Sequence, residues 1–318
     1  MRTYEVAACP SCGGDRFHEL ALGPEASLRT CDGCALVFAP AYADPADIYV
    51  DGYLSGETDF GLDIMHPLFQ EYLAHVARRR LTLIEKVARP GSLLDVGCGT
   101  GEVLLVARER GWDVHGVEPV EASATFAVQE RGLDVRAALL EESGFPERTY
   151  DVVTAFHVLE HMTDGLGFLR MISRWARPGG HVVIEVPNWR SIHRRAYGDT
   201  WPGLRPLEHV AHYAPRTLRA SFRRAGLEPV EILTPGYIWS EQTLGQAVTD
   251  LGAQRLDAWM QRARVLTRTG NHDGKPAVVP NRFGWSVLRA VQSGYALTRR
   301  GMVVLGIARV PDHADASD

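Results

Sequence analysis

Residues Leu93–Pro119 read LLDVGCGTGEVLLVARERGWDVHGVEP, and this stretch decides how the rest of the chain is organised. An apolar run carries Asp95, glycines follow at 97, 99 and 101, a helix-like run comes next, and a second apolar run ends at Glu118. Glycines between a strand end and a helix start let a ligand lie directly against the backbone, in the crevice at the carboxyl ends of a parallel sheet. Spacing then separates two kinds of ligand. A dinucleotide site expects GxGxxG with a helix N-terminus aimed at a pyrophosphate, whereas this cluster is GxGxG with a carboxylate just before it. Asp95 would repel a pyrophosphate and attract a cation.

S-adenosylmethionine, with an ammonium and a sulfonium, is the cationic ligand that fits, and Glu118 is placed to accept both of its ribose hydroxyls. Working outward, strand and helix patterns alternate as in a parallel α/β sheet. Strands are predicted at 92–96, 112–118, 133–136, 150–156 and 181–186, and helices at about 101–110, 120–132 and 164–176. A helix over PRTLRASFRRAGL, a strand near 228–234 and a last strand at 302–309 complete the scheme. Apolar residues from Leu68 to Val87 return at helical spacing and predict a leading helix. The segment 240–300 interrupts the alternation with helical patterns and the polar loop TRTGNHDGKP, and reads as a helical insertion or lid.

Four of the five cysteines form two pairs, Cys9-x-x-Cys12 and Cys31-x-x-Cys34, each beside glycine. Two such knuckles turn four thiolates toward one tetrahedral centre, and a structural Zn2+ would supply folding energy to a segment too short for its own core. Redox cysteines are the alternative. Cys98 lies inside the glycine cluster, where a small side chain is required. The predicted organisation is a zinc-ribbon domain at 1–45, a linker at 46–65 and a cofactor-binding domain at 66–318.

A chain of 318 residues, 45% apolar, can bury a full core, and its net charge of −5 gives no general attraction for nucleic acid. No apolar run is long enough for a membrane span and MRTYEVAACPSCGG lacks the apolar centre of a signal peptide, so a cytoplasmic, reducing setting is expected.

LLDVGCGTG, GVEP, YDVVTAFHVLEHMTD, PGGHVVIEVPN and EHVAHYAPRTLRASFRRAGL together resemble the class I S-adenosylmethionine-dependent methyltransferases over residues 66–235 and the last strand. The resemblance implies a Rossmann-like fold whose last strand is antiparallel. It also implies that Asp95, Gly97, Cys98, Gly99 and Gly101 contact the methionine part, and that Glu118 holds the ribose. The loop with Leu139, Leu140 and Glu141 would flank adenine. Phe156 to His161 would lie at the reactive end. A four-cysteine segment ahead of such a domain is also similar to sugar C-methyltransferases of glycan and natural-product biosynthesis, with only the zinc ribbon and the core expected to be shared with those enzymes.

His157 and His161 are spaced to share a helical face, as are His209 and His212. His157, His209 or His212 is the expected general base toward the acceptor; packing is the alternative. Arginines and tryptophans in WRSIHRRAYGDTWPGLR and in 255–300 form either a solvated face or a surface for an anionic, small-molecule or carrier-linked acceptor. Trp189, Trp201 and Trp285 would offer it flat surfaces. Two other readings stay open, an RNA-modifying methyltransferase and a non-catalytic cofactor-binding protein.

Overall fold

The computed structural model describes residues 1–22, 27–48, 67–235, 266–272, 275–280 and 300–312. In the N-terminal part, strands β1 (Thr3–Glu5), β2 (Phe17–Ala21), β3 (Ser27–Cys31), β4 (Val37–Phe38) and β5 (Ala41–Ala43) precede the short helix α1 (Pro45–Ile48). Helix α2 (Pro67–Ile84) leads into β6 (Ser92–Val96), α3 (Glu102–Glu109), β7 (Asp113–Val117), α4 (Glu121–Gln129), β8 (Asp134–Arg136) and β9 (Tyr150–Phe156). Then come α5 (Gly165–Ser173), β10 (Ala176–Pro187), α6 (Ile192–Tyr197), β11 (Ala211–His212), α7 (Pro215–Arg224) and β12 (Glu228–Leu233). Strands β13 (Leu266–His272), β14 (Lys275–Pro280) and β15 (Val303–Arg309) complete the described elements.

The main sheet has seven strands in the order β12-β15-β10-β9-β6-β7-β8, with β10, β9, β6, β7 and β8 parallel and β15 antiparallel to both its neighbours. Helices cover both faces, so the central strands are apolar almost throughout: Leu93, Leu94, Val152, Val153, Val182 and Val183 are all fully buried. Local signals set the helix starts. Asp164 caps α5 by accepting from Gly167 N at 2.8 Å. Pro215 opens α7, where Thr217 Oγ1 accepts from Ala214 N at 2.8 Å.

The expected 1–45 unit forms its own small sheet, but that sheet borrows a strand from the larger unit. Its order is β11-β4-β3-β2, with Ala211 opposite Phe38 and His212 opposite Val37. Ala39 N also donates to Val210 O, Leu166 N to Pro10 O, and the buried hydroxyls of Ser11 and Ser221 meet at 2.7 Å. Cys9, Cys31, Leu36 and Phe38 belong to the same core as Leu159, Leu169 and Phe222. Most of the expected linker lies outside the described residues, and its first residues end α1. Within 240–299 the described residues, Leu266–His272 and Lys275–Pro280, form an antiparallel β13–β14 pair rather than helix. The rest of that segment up to residue 299, Trp285 included, lies outside the described residues.

Candidate active site

The glycine loop leaves β6 through three left-handed residues, Gly97 at φ +70°, Gly99 at +55° and Gly101 at +85°. Gly97 and Gly101 answer to packing: a Cβ on the first would come within 2.6 Å of Val158 Cγ2, and on the second within 2.5 Å of Leu133 Cδ1. Gly99 differs. Among the described residues no atom lies within 4 Å of a Cβ there, so its half-buried backbone is the surface open to a ligand. Gly97 N and Cys98 N donate to Val117 O, and Glu118 accepts from Gly99 N at 2.8 Å and Val120 N at 2.9 Å. The loop and the ribose-side carboxylate are therefore one hydrogen-bonded unit.

Asp95 is buried beneath this loop and accepts from Thr154 Oγ1 at 2.6 Å. Burial pushes its carboxyl up to about 7, against the Thr154 hydrogen bond and the Arg80 charge. Burial raises Glu118 as well, opposed by its two backbone N–H donors. Two buried carboxyls whose charge is disfavoured make a receptive place for a cation. Cys98 is a packing residue, its Sγ lying 2.8 Å from where a Cβ on Gly116 of β7 would be. Leu140 is buried in the core, while its neighbour Leu139 is exposed at the same edge. Phe156 ends β9 with the Arg80 guanidinium 4.2 Å from its ring centroid.

His157 follows at φ +59°, a left-handed conformation that costs a non-glycine residue about 1–2 kcal/mol. This turn puts the imidazole between two buried carboxylates, Nδ1 3.0 Å from Glu160 Oε1 and Nε2 3.5 Å from Glu185 Oε1. Glu185 also accepts from Arg80 of α2, whose Nε lies 3.0 Å from Oε1. Arg80, Glu185, His157 and Glu160 thus alternate in sign. Burial disfavours charge on His157, but hydrogen bonds and charge from Glu160 and Glu185 outweigh it and push the ring up to about 9. Burial likewise opposes charge on Glu185, yet Arg80 and then His157 hold it at about 2.

The histidines do not pair as their spacing predicts. Because His157 is left-handed and Leu159–His161 is a single 3-10 turn, His157 and His161 share no helical face. His161 instead meets His209 edge to face, ring centroids 4.8 Å apart. His209 and His212 are likewise not on a helix, since His212 lies in the two-residue β11. His212 is buried against Trp189 and Trp201, with ring centroids 5.2 and 6.3 Å away, and burial pushes it down to about 3. Trp189 also carries Arg194 4.2 Å above its ring. With Arg190, Arg195 and Arg300 this pair lines a cleft of about 290 Å³.

Cys9, Cys12, Cys31 and Cys34 come together as their spacing predicts. Cys9 and Cys34 sulfurs lie 3.5 Å apart and those of Cys12 and Cys31 3.6 Å apart. Thiolates at about 2.3 Å from one tetrahedral ion stand about 3.8 Å apart, so the cluster has the dimensions of such a centre.

A mostly parallel seven-stranded sheet with one antiparallel strand, and a glycine loop tied to an acid at the end of the next strand, define the Rossmann-like fold of the S-adenosylmethionine-dependent methyltransferases. Residues 69–232 match a family model described as a methyltransferase domain, and the chain belongs to that family. It is 33% identical over 172 residues to a ubiquinone biosynthesis O-methyltransferase of Bordetella avium, covering 47% of this chain and 68% of that protein. It is 37% identical over 127 residues to a nocamycin O-methyltransferase of Saccharothrix syringae, covering 37% of this chain and 45% of that protein. Among solved structures, an S-adenosylmethionine-dependent methyltransferase from Archaeoglobus fulgidus is similar with a TM-score of 0.48 at 20% identity, covering 76% of this chain and 98% of that one. The chain is an S-adenosylmethionine-dependent methyltransferase. Among the described residues no helix is long and apolar enough to cross a membrane.

Sequence reasoning missed Arg80, Glu185 and the role of Glu160. A carboxylate within the apolar strand HVVIEVP was the available signal for Glu185, since a buried acid needs a partner. Arg80 is one of three consecutive arginines in α2, and nothing local distinguishes it.

Proposed function

We propose that the protein methylates a hydroxyl oxygen of a small, anionic acceptor in natural-product biosynthesis. One observation carries this reading: the open Gly99 backbone, Glu118 and Asp95 meet the Phe156–His161 segment at the carboxyl edge of β6, β7 and β9. S-adenosylmethionine bound there supplies a methyl group already activated on its sulfonium. Asp95 and Glu118 attract its positive charge, Glu118 accepts from the ribose, and the glycine loop lets it approach the backbone. The residues named as cofactor contacts at Gly97, Gly101 and Cys98 shape that loop, and Leu139 is the better adenine neighbour than Leu140.

Orientation and exclusion of water supply most of the acceleration in such a displacement, with a proton acceptor needed when the nucleophile carries hydrogen. Both ring nitrogens of His157 are engaged by carboxylates, which suits it to positioning rather than to base catalysis. His212 is buried among tryptophans. The acceptor proton is therefore assigned to the Glu160–His161–His209 cluster. The names of the two relatives support oxygen as the nucleophile, and the four arginines beside Trp189 support a phosphate- or carboxylate-bearing acceptor, carrier-linked or a nucleotide sugar. The four-cysteine cluster is read as a structural zinc site that fixes the β4–β11 pairing and, through it, His209.

The test is methyl transfer from radiolabelled S-adenosylmethionine to a panel of hydroxylated aromatic acids, nucleotide sugars and total RNA, with mass spectrometry locating the methyl. O-methylation of an anionic small molecule supports the reading. Labelled RNA would move the assignment to RNA modification, and a methyl on carbon would favour the sugar C-methyltransferase likeness.

A further inference from the structure

The geometry points to a second metal site, distinct from the four cysteines: Glu160, His161 and His209 form a two-histidine, one-carboxylate site for a divalent transition-metal ion. One potential ligand atom from each lies within 4.8 Å of the other two. His161 Nδ1 is 3.1 Å from Glu208 O, and His209 Nδ1 is 3.0 Å from Gly203 O. A carbonyl can only accept, so both rings carry their hydrogen on Nδ1, and each neutral ring keeps its lone pair on Nε2. Backbone carbonyls orienting ligand histidines through the other nitrogen are the usual outer support of a metal centre.

The carboxylate supplies the second, independent observation. Glu160 is 1% exposed, Oε1 is engaged by His157, and Oε2 has no hydrogen-bond partner among the described residues. A buried carboxylate oxygen without a partner is costly. A cation held with two imidazoles removes that cost.

Two strained segments bring the three together. His157 at φ +59° and the following 3-10 turn fix Glu160 and His161. Opposite them, Arg205 at φ +36° and Leu207 at φ +70° shape the loop that presents His209 just before β11. Nitrogen and oxygen ligands at about 2.0–2.1 Å from one ion stand roughly 3.3 Å apart, so the triad contracts by about an ångström or more on loading. Two imidazoles and one carboxylate favour Zn2+, Co2+, Ni2+ or Fe2+ over Mg2+ or Ca2+. Three protein ligands leave a coordination position open. Glu160 and His161 follow β9 at the reactive edge, so an acceptor hydroxyl bound to the ion there would release its proton to solvent more readily. This last consequence rests on the proposed methyl transfer; the metal site does not.

Cobalt(II) titration of the full chain, stripped with chelator and reduced, tests the site. Thiolate-to-cobalt charge-transfer bands near the ultraviolet report the cysteines, and visible d–d bands without them report a nitrogen–oxygen site. The expected result is a set of d–d bands that saturates separately from the thiolate bands. Glu160→Gln and His209→Ala should each weaken that component at least 100-fold, with the thiolate bands and S-adenosylmethionine affinity kept. Glu160→Gln keeps the side-chain shape and covers the case in which His209→Ala fails to fold. A wild-type spectrum with only thiolate bands, or a nitrogen–oxygen component unchanged in both variants, overturns the site. Failure of S-adenosylmethionine to bind while that component persists would overturn the methyl-transfer reading and leave the metal site standing.

Discussion

Replacing Glu185 by Gln should be among the most damaging single changes in this protein. The side chain is fully buried, it accepts from Arg80 Nε at 3.0 Å, and it lies 3.5 Å from His157 Nε2. The amide would leave two buried cations beside a neutral group, and breaking a buried ion pair from one side costs about 3–5 kcal/mol. Arg80→Met should cost a similar amount, because it leaves the buried carboxylate with His157 alone as its charged partner. The double variant should lose about 2 kcal/mol less than the sum, since removing both charges leaves neither stranded. The sign of the pH dependence follows from Glu185 being held at about 2, below its ordinary 4.5, by Arg80 and His157 against the effect of burial. A lowered folded-state value stabilises the protein above pH 4.5, and this contribution is lost as pH falls from there through about 2. Urea unfolding followed by circular dichroism, for both single variants and the double, between pH 2.5 and 7.5, measures all of this. Costs for the two single changes that add to within about 0.5 kcal/mol, or an acid decline of the same size in Glu185→Gln, would refute the reasoning.

Three further outcomes are expected. Gly99→Val should abolish S-adenosylmethionine binding, since the added side chain enters the open ligand face, while Glu118→Ala should weaken it by about 1.5–3 kcal/mol per charge-assisted hydrogen bond lost; calorimetry reads both. Cys34→Ser should lower zinc content by elemental analysis and, through the β4–β11 pairing, reduce turnover more than cofactor affinity, which a split between kcat and the cofactor Kd would reveal. His212→Phe keeps a ring against Trp189 and Trp201 and should leave kcat within about tenfold, whereas a loss of about 10²–10⁴ would return His212 to the role of base.

The glycine loop was legible because its chemistry is local. Strand, turn, helix and both acids fall within Leu93–Pro119, and the predicted strands 92–96 and 150–156 match β6 and β9 to the residue. β10 starts earlier than predicted, at Ala176, because a register shift between Ala176 and His181 lets the chain rejoin β9 beyond Pro178-Gly179-Gly180, a sequence that reads as a turn. The histidine groupings were not legible. Helical spacing was the wrong ruler for a left-handed His157 and a two-residue strand, and the partner of His161 comes from a loop far along the chain. The same holds for β11, whose pairing with Val37 and Phe38 no local pattern announces. The cysteine spacing predicted the four-sulfur cluster but not its shared core with the larger sheet.

Calorimetry of the purified chain with S-adenosylmethionine, S-adenosylhomocysteine and NAD tests the central claim most directly. The account predicts saturable binding of the first two at one site per chain, lost in Gly99→Val and weakened in Glu118→Ala. Tighter binding of NAD than of S-adenosylmethionine, or binding unchanged in both variants, would contradict it.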